Sequence, residues 1–119
     1  MKFVTAVSFA FIFIATPLFA RNHAIPLRFE ENLGQAAPGV KYVARAGAYT
    51  VDLSERDVVI HADAAAVRMA FTAANTDSII VPLDRLNYVS NYYIGSPDSW
   101  RSGIQNFGRL LYRNVYPGI

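Results

Sequence analysis

Apolar and polar positions along the chain fall into three regimes. From Phe3 to Ala15 the side chains are nearly all apolar and none is charged. From Arg21 to Gly39 no period holds. From Val40 onward apolar and polar residues alternate over short runs, the signature of half-buried strands. Tyr49, Val51 and Leu53 share one face of such a run, with Thr50 and Asp52 on the other. Ser54-Glu55-Arg56-Asp57 is a turn of the kind that closes hairpins. Beyond it Val58 and Ile60 fall opposite Leu53 and Val51, and one residue of slip would turn that apolar set to water. Val67, Met69 and Phe71 alternate with Arg68 and Ala70, which predicts another half-buried strand. Between these, Ala62–Ala66 is alanine-rich enough to nucleate a helical turn, although too short to persist alone.

The remaining punctuation follows from turn chemistry. Asn75–Ser78 is a turn, and Ile79–Val81 is a short apolar piece that Pro82 is expected to stop. Leu86–Ile94 reads as strand, and Gly95-Ser96-Pro97-Asp98 breaks it. Ser96 or Asp98 is placed to cap a single turn carrying Trp100. Ile104–Val115 is the last long strand, ended by Pro117-Gly118. No stretch sustains a helical period. The expected fold is all-β, with antiparallel sheets in a sandwich-like arrangement of about six to eight strands. The division along the chain is 1–20, a leader; 21–39, a flexible start and polar loop bracketed by Pro26 and Pro38; and 40–119, the β-rich domain. The end at Tyr116-Pro117-Gly118-Ile119 looks like another strand beginning, so the domain is expected to be incomplete at its C-terminus.

The leader has the layout of a secretory signal peptide. Lys2 supplies a positive start, the apolar run follows, Thr16-Pro17 breaks the helix, and Ala20 offers a small residue before polar Arg21-Asn22-His23. An uncleaved transmembrane anchor would need about 20 apolar residues, and this run is shorter. Cleavage near Ala20 and a secreted or cell-surface location are the expectation, with membrane contact only through the leader during export.

Composition changes little. The net charge of +2 includes Lys2, and no basic run or stripe marks a nucleic-acid surface. The absence of cysteine excludes disulfides, thiolate metal sites and a cysteine nucleophile. His23 and His61 lack the spacing of a metal motif, and no G-x-S-x-G elbow, phosphate loop or dinucleotide fingerprint occurs. No metal and no cofactor is therefore expected. Carboxylates are the only catalytic stock. Glu30 and Glu31 are neighbours in an extended segment and point opposite ways, and Asp52, Glu55 and Asp57 cluster at the hairpin turn without calcium-loop spacing. A secreted hydrolase such as a glycosidase would need two carboxyls facing across a cleft.

Aromatics crowd the last third: Tyr88, Tyr92, Tyr93, Trp100, Phe107, Tyr112 and Tyr116. On strands they serve as core and cross-strand pairs. A solvent-facing row of Tyr92 or Tyr93 with Trp100 is the alternative, a platform for surface glycans or proteins.

Four stretches taken together carry a resemblance. Phe29-Glu30-Glu31-Asn32-Leu33-Gly34-Gln35 resembles an F-E-x-N-x-G-Q opening motif. Tyr42–Arg45 followed by Gly47–Val51 is similar to a first hairpin arm. Asn91-Tyr92-Tyr93-Ile94-Gly95 with Trp100-Arg101 resembles N-Y-F-I-G…W-R, and Tyr112–Ile119 resembles Y-x-x-V-Y-P-G-I-D. Together they resemble the marks of the domain that precedes beta-propeller (SBBP-type) repeats in large extracellular bacterial proteins. The resemblance implies a non-catalytic structural or interaction module whose first partners are downstream repeats of the same polypeptide. Leu33 and Leu111 depart from it, standing where arginine and a charged residue are usual. For the matching residues the expectation is structural. Asn32 and Gly34 are expected to take left-handed turn geometry. Glu30 and Gln35 would bond strand-edge amides, and Pro117-Gly118 would make a turn.

Overall fold

The computed structural model describes residues 27–119. The leader, His23 and most of the flexible start lie outside the described residues. Seven strands form one antiparallel sheet in the order β5-β4-β3-β2-β1-β7-β6. They are β1 (Phe29–Glu31), β2 (Tyr42–Ala46), β3 (Tyr49–Leu53), β4 (Asp57–Ala62), β5 (Ala65–Ala70), β6 (Ile79–Tyr92) and β7 (Arg101–Arg113). The all-β antiparallel class holds. The strands share a single sheet and do not form two stacked ones.

The β2–β5 meander follows from local chemistry. Gly47, at φ 59°, supplies the positive φ that a two-residue hairpin needs at its first loop position. It lets Ala46 pair with Tyr49. The β3–β4 hairpin closes where the turn residues predict, with Ser54 N–H donating to Asp57 O at 3.0 Å. Val51 faces Ile60 and Leu53 faces Val58, as the alternation requires.

Several expectations fail for identifiable reasons. The segment read as polar loop contains β1, which lies mid-sheet between β2 and β7. Ala62–Ala66 forms no helical turn; Ala62 pairs with Ala65 across a tight connection, so hairpin pairing overrides alanine's helix preference. Pro82 does not stop its strand. It sits opposite Leu110 in β6, and β6 is an edge strand, where a missing N–H on the open side costs the ladder nothing. β6 is instead bent by Asp84, at φ 56°, and by register shifts between Arg85 and Val89 and between Ser90 and Tyr92. Gly103, at φ 69°, carries the second irregularity, its N–H donating to Asn91 Oδ1 at 2.9 Å. β5 is a strand as expected, yet Val67 and Met69 are exposed, not half-buried.

The sheet is curled. Tyr112 of β7 donates to Ser54 O at 2.8 Å, although β7 and β3 are three places apart. A flat sheet would hold them about 14 Å apart at roughly 4.8 Å per strand. Phe71 and Tyr112 meet edge to face at 5.3 Å, and Tyr116 donates to Thr72 O at 3.0 Å. Burial raises the Tyr112 phenol to about 12, with Asp57 adding to the rise, so the neutral hydroxyl that donates to Ser54 is the favoured form. The buried apolar residues are Tyr42, Val43, Ala44, Leu53, Ile104 and Val115. They lie where β2 meets its neighbours, along β7 and just beyond it.

Candidate functional site

The first and third sequence motifs converge beside β1. Their hub is Asn32. Its Oδ1 accepts from Gly34 N–H at 2.9 Å and Ala36 N–H at 3.1 Å, and its Nδ2 donates to Ala37 O at 3.1 Å and Val40 O at 2.8 Å. One side chain thus replaces the backbone ladder through the loop, as Asn side chains do in turns. Asn32 itself is not among the positive-φ residues; Gly34 is, at φ 114°. The left-handed expectation therefore holds for the glycine alone. Gln35 donates to Glu31 O at 2.7 Å and accepts from Leu33 N–H at 2.8 Å, so it ties the loop to the end of β1.

Arg101, at the start of β7, closes the arrangement. Its Nε donates to Leu33 O at 2.9 Å. A Cβ on Gly34 would lie 2.6 Å from that nitrogen, so a larger residue there would displace the Arg101 guanidinium from Leu33 O in addition to straining the positive φ. Arg101 Nη1 also donates to Asp98 O at 3.2 Å and Trp100 O at 2.9 Å. The β6–β7 connection is thereby fastened to the Asn32 loop.

Tyr92 forms the second node. Arg45 Nε donates to its hydroxyl at 2.8 Å, and the hydroxyl donates to Glu30 Oε2 at 2.6 Å. The Arg45 guanidinium also lies 5.3 Å from the ring centre. Burial, then the Glu30 carboxylate, raise the Tyr92 phenol above its ordinary value. Tyr92 was a candidate for a solvent-facing row. It is instead a half-buried strut joining β1, β2 and β6. Glu30 bonds this phenol and not a strand-edge amide. Glu31, on the opposite face, pairs with Tyr42, so the two carboxylates diverge as alternation predicts.

Tyr93 and Trp100 are exposed. They are 61% and 45% accessible and meet edge to face at 5.3 Å and 76°. Trp100 Nε1 donates to Gly95 O at 3.2 Å, and a single turn of 3-10 helix, Pro97–Ser99, lies between. Ser96 precedes that turn without a side-chain cap. Ile94 is exposed beside them. The result is an apolar tip whose two rings meet edge to face and offer faces at a steep angle to each other.

Elsewhere the candidate chemistry is in paired polar side chains. His61 Nε2 lies 2.9 Å from Asp52 Oδ2. Asp57 accepts from the Ser54 hydroxyl and from Arg68 Nε, the latter at 2.6 Å, and these bonds hold its carboxyl below the usual range. Among the described residues no group of three or more His, Cys, Asp and Glu is placed to hold a metal. The groove beside the Asn32 loop, open to solvent, has Glu31 as its one lining carboxylate. Pro117 and Gly118 form the turn expected of them, with Gly118 at φ 81° and Ile119 N–H donating to Tyr116 O at 2.9 Å. These are the marks of a type II turn.

Sequence reasoning missed Arg45, Asn106 and Ser90. Asn106 is buried and donates to Ser90 Oγ at 2.9 Å and Ile104 O at 3.2 Å. No local signal marks them, because their side-chain partners come from other strands.

The protein is thus a small curled antiparallel sheet with one loop knotted by side chains and one exposed aromatic tip. It belongs to the family described as a domain of unknown function (DUF7948), whose profile matches residues 29–119. No curated protein and no solved structure matches the chain.

Proposed function

We propose that this chain is a non-catalytic structural and interaction module, the N-terminal domain of a larger exported bacterial repeat protein. The observation that carries the reading is the use made of the motif residues. Glu30, Asn32, Gly34, Gln35, Tyr92 and Arg101 bond or pack against one another and the backbone, which is the behaviour of residues that hold a scaffold. The leader pattern of residues 1–20 supports export, and downstream repeats of the same polypeptide are the proposed partners. The source reading frame tests this. It is expected to continue past Ile119 into strand-rich repeats of roughly 40–50 residues. A stop codon directly after Ile119 removes the reading.

The exposure of Tyr93 and Trp100 favours a second reading, a binding module for surface glycans. Aromatic rings present apolar faces on which sugars stack. The full chain is expected to be retained on insoluble chitin, cellulose or peptidoglycan. The double substitution Tyr93→Ala with Trp100→Ala should lower retention at least tenfold without altering the melting temperature. Absence of retention on all three, or retention that the double variant leaves unchanged, excludes this reading.

A further inference from the structure

The two edges of the sheet are treated differently. β6 carries the guards expected of an exposed edge: Pro82, the left-handed Asp84 and two register shifts. β5 carries none. It is six residues long, every one exposed, with the sequence Ala-Ala-Val-Arg-Met-Ala. It contains no proline, no positive φ and no register shift against β4.

The direction of its free backbone groups follows from the ladder. Phe71 N–H donates to Arg56 O at 2.9 Å. Backbone-bonded pairs alternate in antiparallel strands, so Met69 bonds Val58 and Val67 bonds Ile60. The N–H and C=O groups of Ala66, Arg68 and Ala70 then point away from β4 into solvent. The side chains beside them are small, apart from Arg68, whose guanidinium is held at 2.6 Å by Asp57 on β4. A second strand can approach without stranding a charge.

We infer that β5 pairs antiparallel with β5 of a second copy of this chain, on a two-fold axis through Val67. This register is self-complementary. Ala66 faces Arg68 of the second copy, Met69 faces Ala65, and Val67 faces its own counterpart. The outward groups of Ala66 and Arg68 are then paired, each with the other's in the second copy, so the contact is isologous; those of Ala70 fall opposite Ala64, in the turn before β5. Val67 and Met69, 64% and 56% accessible in the single chain, lie with Ile60 on one face, and pairing makes that apolar strip continuous across both copies. An axis through Arg68 would set two guanidiniums opposite each other, a destabilising arrangement. A pairing of this length lies at the small end of specific interfaces, so a weak, concentration-dependent dimer is expected.

The register gives a sharp test. Val67 would occupy a non-hydrogen-bonded pair, where opposed Cα atoms are about 4.5 Å apart, within the range that a disulfide spans. The chain has no cysteine of its own. Val67→Cys in the full chain should therefore give mostly covalent dimer under mild oxidation on a non-reducing gel. Met69→Cys should stay monomeric, because its counterpart lies four residues along the strand, about 13 Å away at roughly 3.3 Å per residue. Adding Ala66→Pro to Val67→Cys removes an outward N–H and should cut crosslinking at least tenfold. The inference is overturned if Val67→Cys remains monomeric while folded, as it would with a different protein or a later segment of the same chain on this edge. It is equally overturned if Met69→Cys crosslinks as readily.

Discussion

Asn32→Ala is expected to destabilise the chain by about 2–4 kcal/mol, from four hydrogen bonds worth roughly 1 kcal/mol each. Two of the backbone groups it serves, Ala36 N–H and Val40 O, are bonded in part-buried surroundings, where water is a poor substitute. The other two bonds, to Gly34 N–H and Ala37 O, are exposed and contribute the smaller share. Loss of the side chain frees the loop and, through Leu33 O, loosens the anchor of Arg101. Denaturant unfolding of the full chain measures the cost. At roughly 4–8 °C per kcal/mol for a domain of this size, the melting temperature should fall by more than 8 °C. Asn32→Asp keeps the acceptor and loses the donor, so its cost should lie between wild type and alanine. A change within about 0.5 kcal/mol, the range of ordinary surface substitutions, would show that the loop holds itself.

The sequence made some of this legible and hid the rest. The β3–β4 register was readable because turn and alternation are both local, and Val51 opposite Ile60 follows from them. Strand β1 was not readable. Its three residues hold no alternating pattern, and it exists because β2 and β7 offer it pairing on both sides. Pro82 misled because a proline stops pairing only on the side its nitrogen faces, and which strand is an edge is a property of topology. Val67 and Met69 show the limit of periodicity: it assigns residues to a face and says nothing of what covers that face. Tyr92 and Tyr93 are adjacent and chemically alike. Only the three-dimensional placement of Arg45 and Glu30 separates the strut from the exposed ring. The Asn32 motif was visible as a constellation, and its mechanism through side-chain bonds was not, because its acceptors and donors are backbone atoms that any sequence would supply.

Ile104→Ala is expected to cost about 2–5 kcal/mol, the range for deleting a fully buried aliphatic side chain. Ile104 is 0% accessible, and with Val43 and Asn106 it is among the largest side chains wholly removed from solvent. Its position depends on the irregularity at Gly103. Ser90 pairs with Ile104 and Tyr92 with Arg101, so one extra residue on β7 separates these pairs. Without that residue the side chains of one flank would change face. The core offers little reserve, since six apolar residues are buried among the described ones. Domains of this size are stable by only about 5–15 kcal/mol in total. The substitution should therefore take a large part of the stability, and Ile104→Val should cost about 0.5–1.5 kcal/mol on the same scale. Guanidinium unfolding of both variants checks the gradient. An alanine variant within 1 kcal/mol of wild type would mean that the surrounding strands collapse onto the cavity, and that β7 is held by its ladder and by the Asn106–Ser90 bond more than by packing at this position.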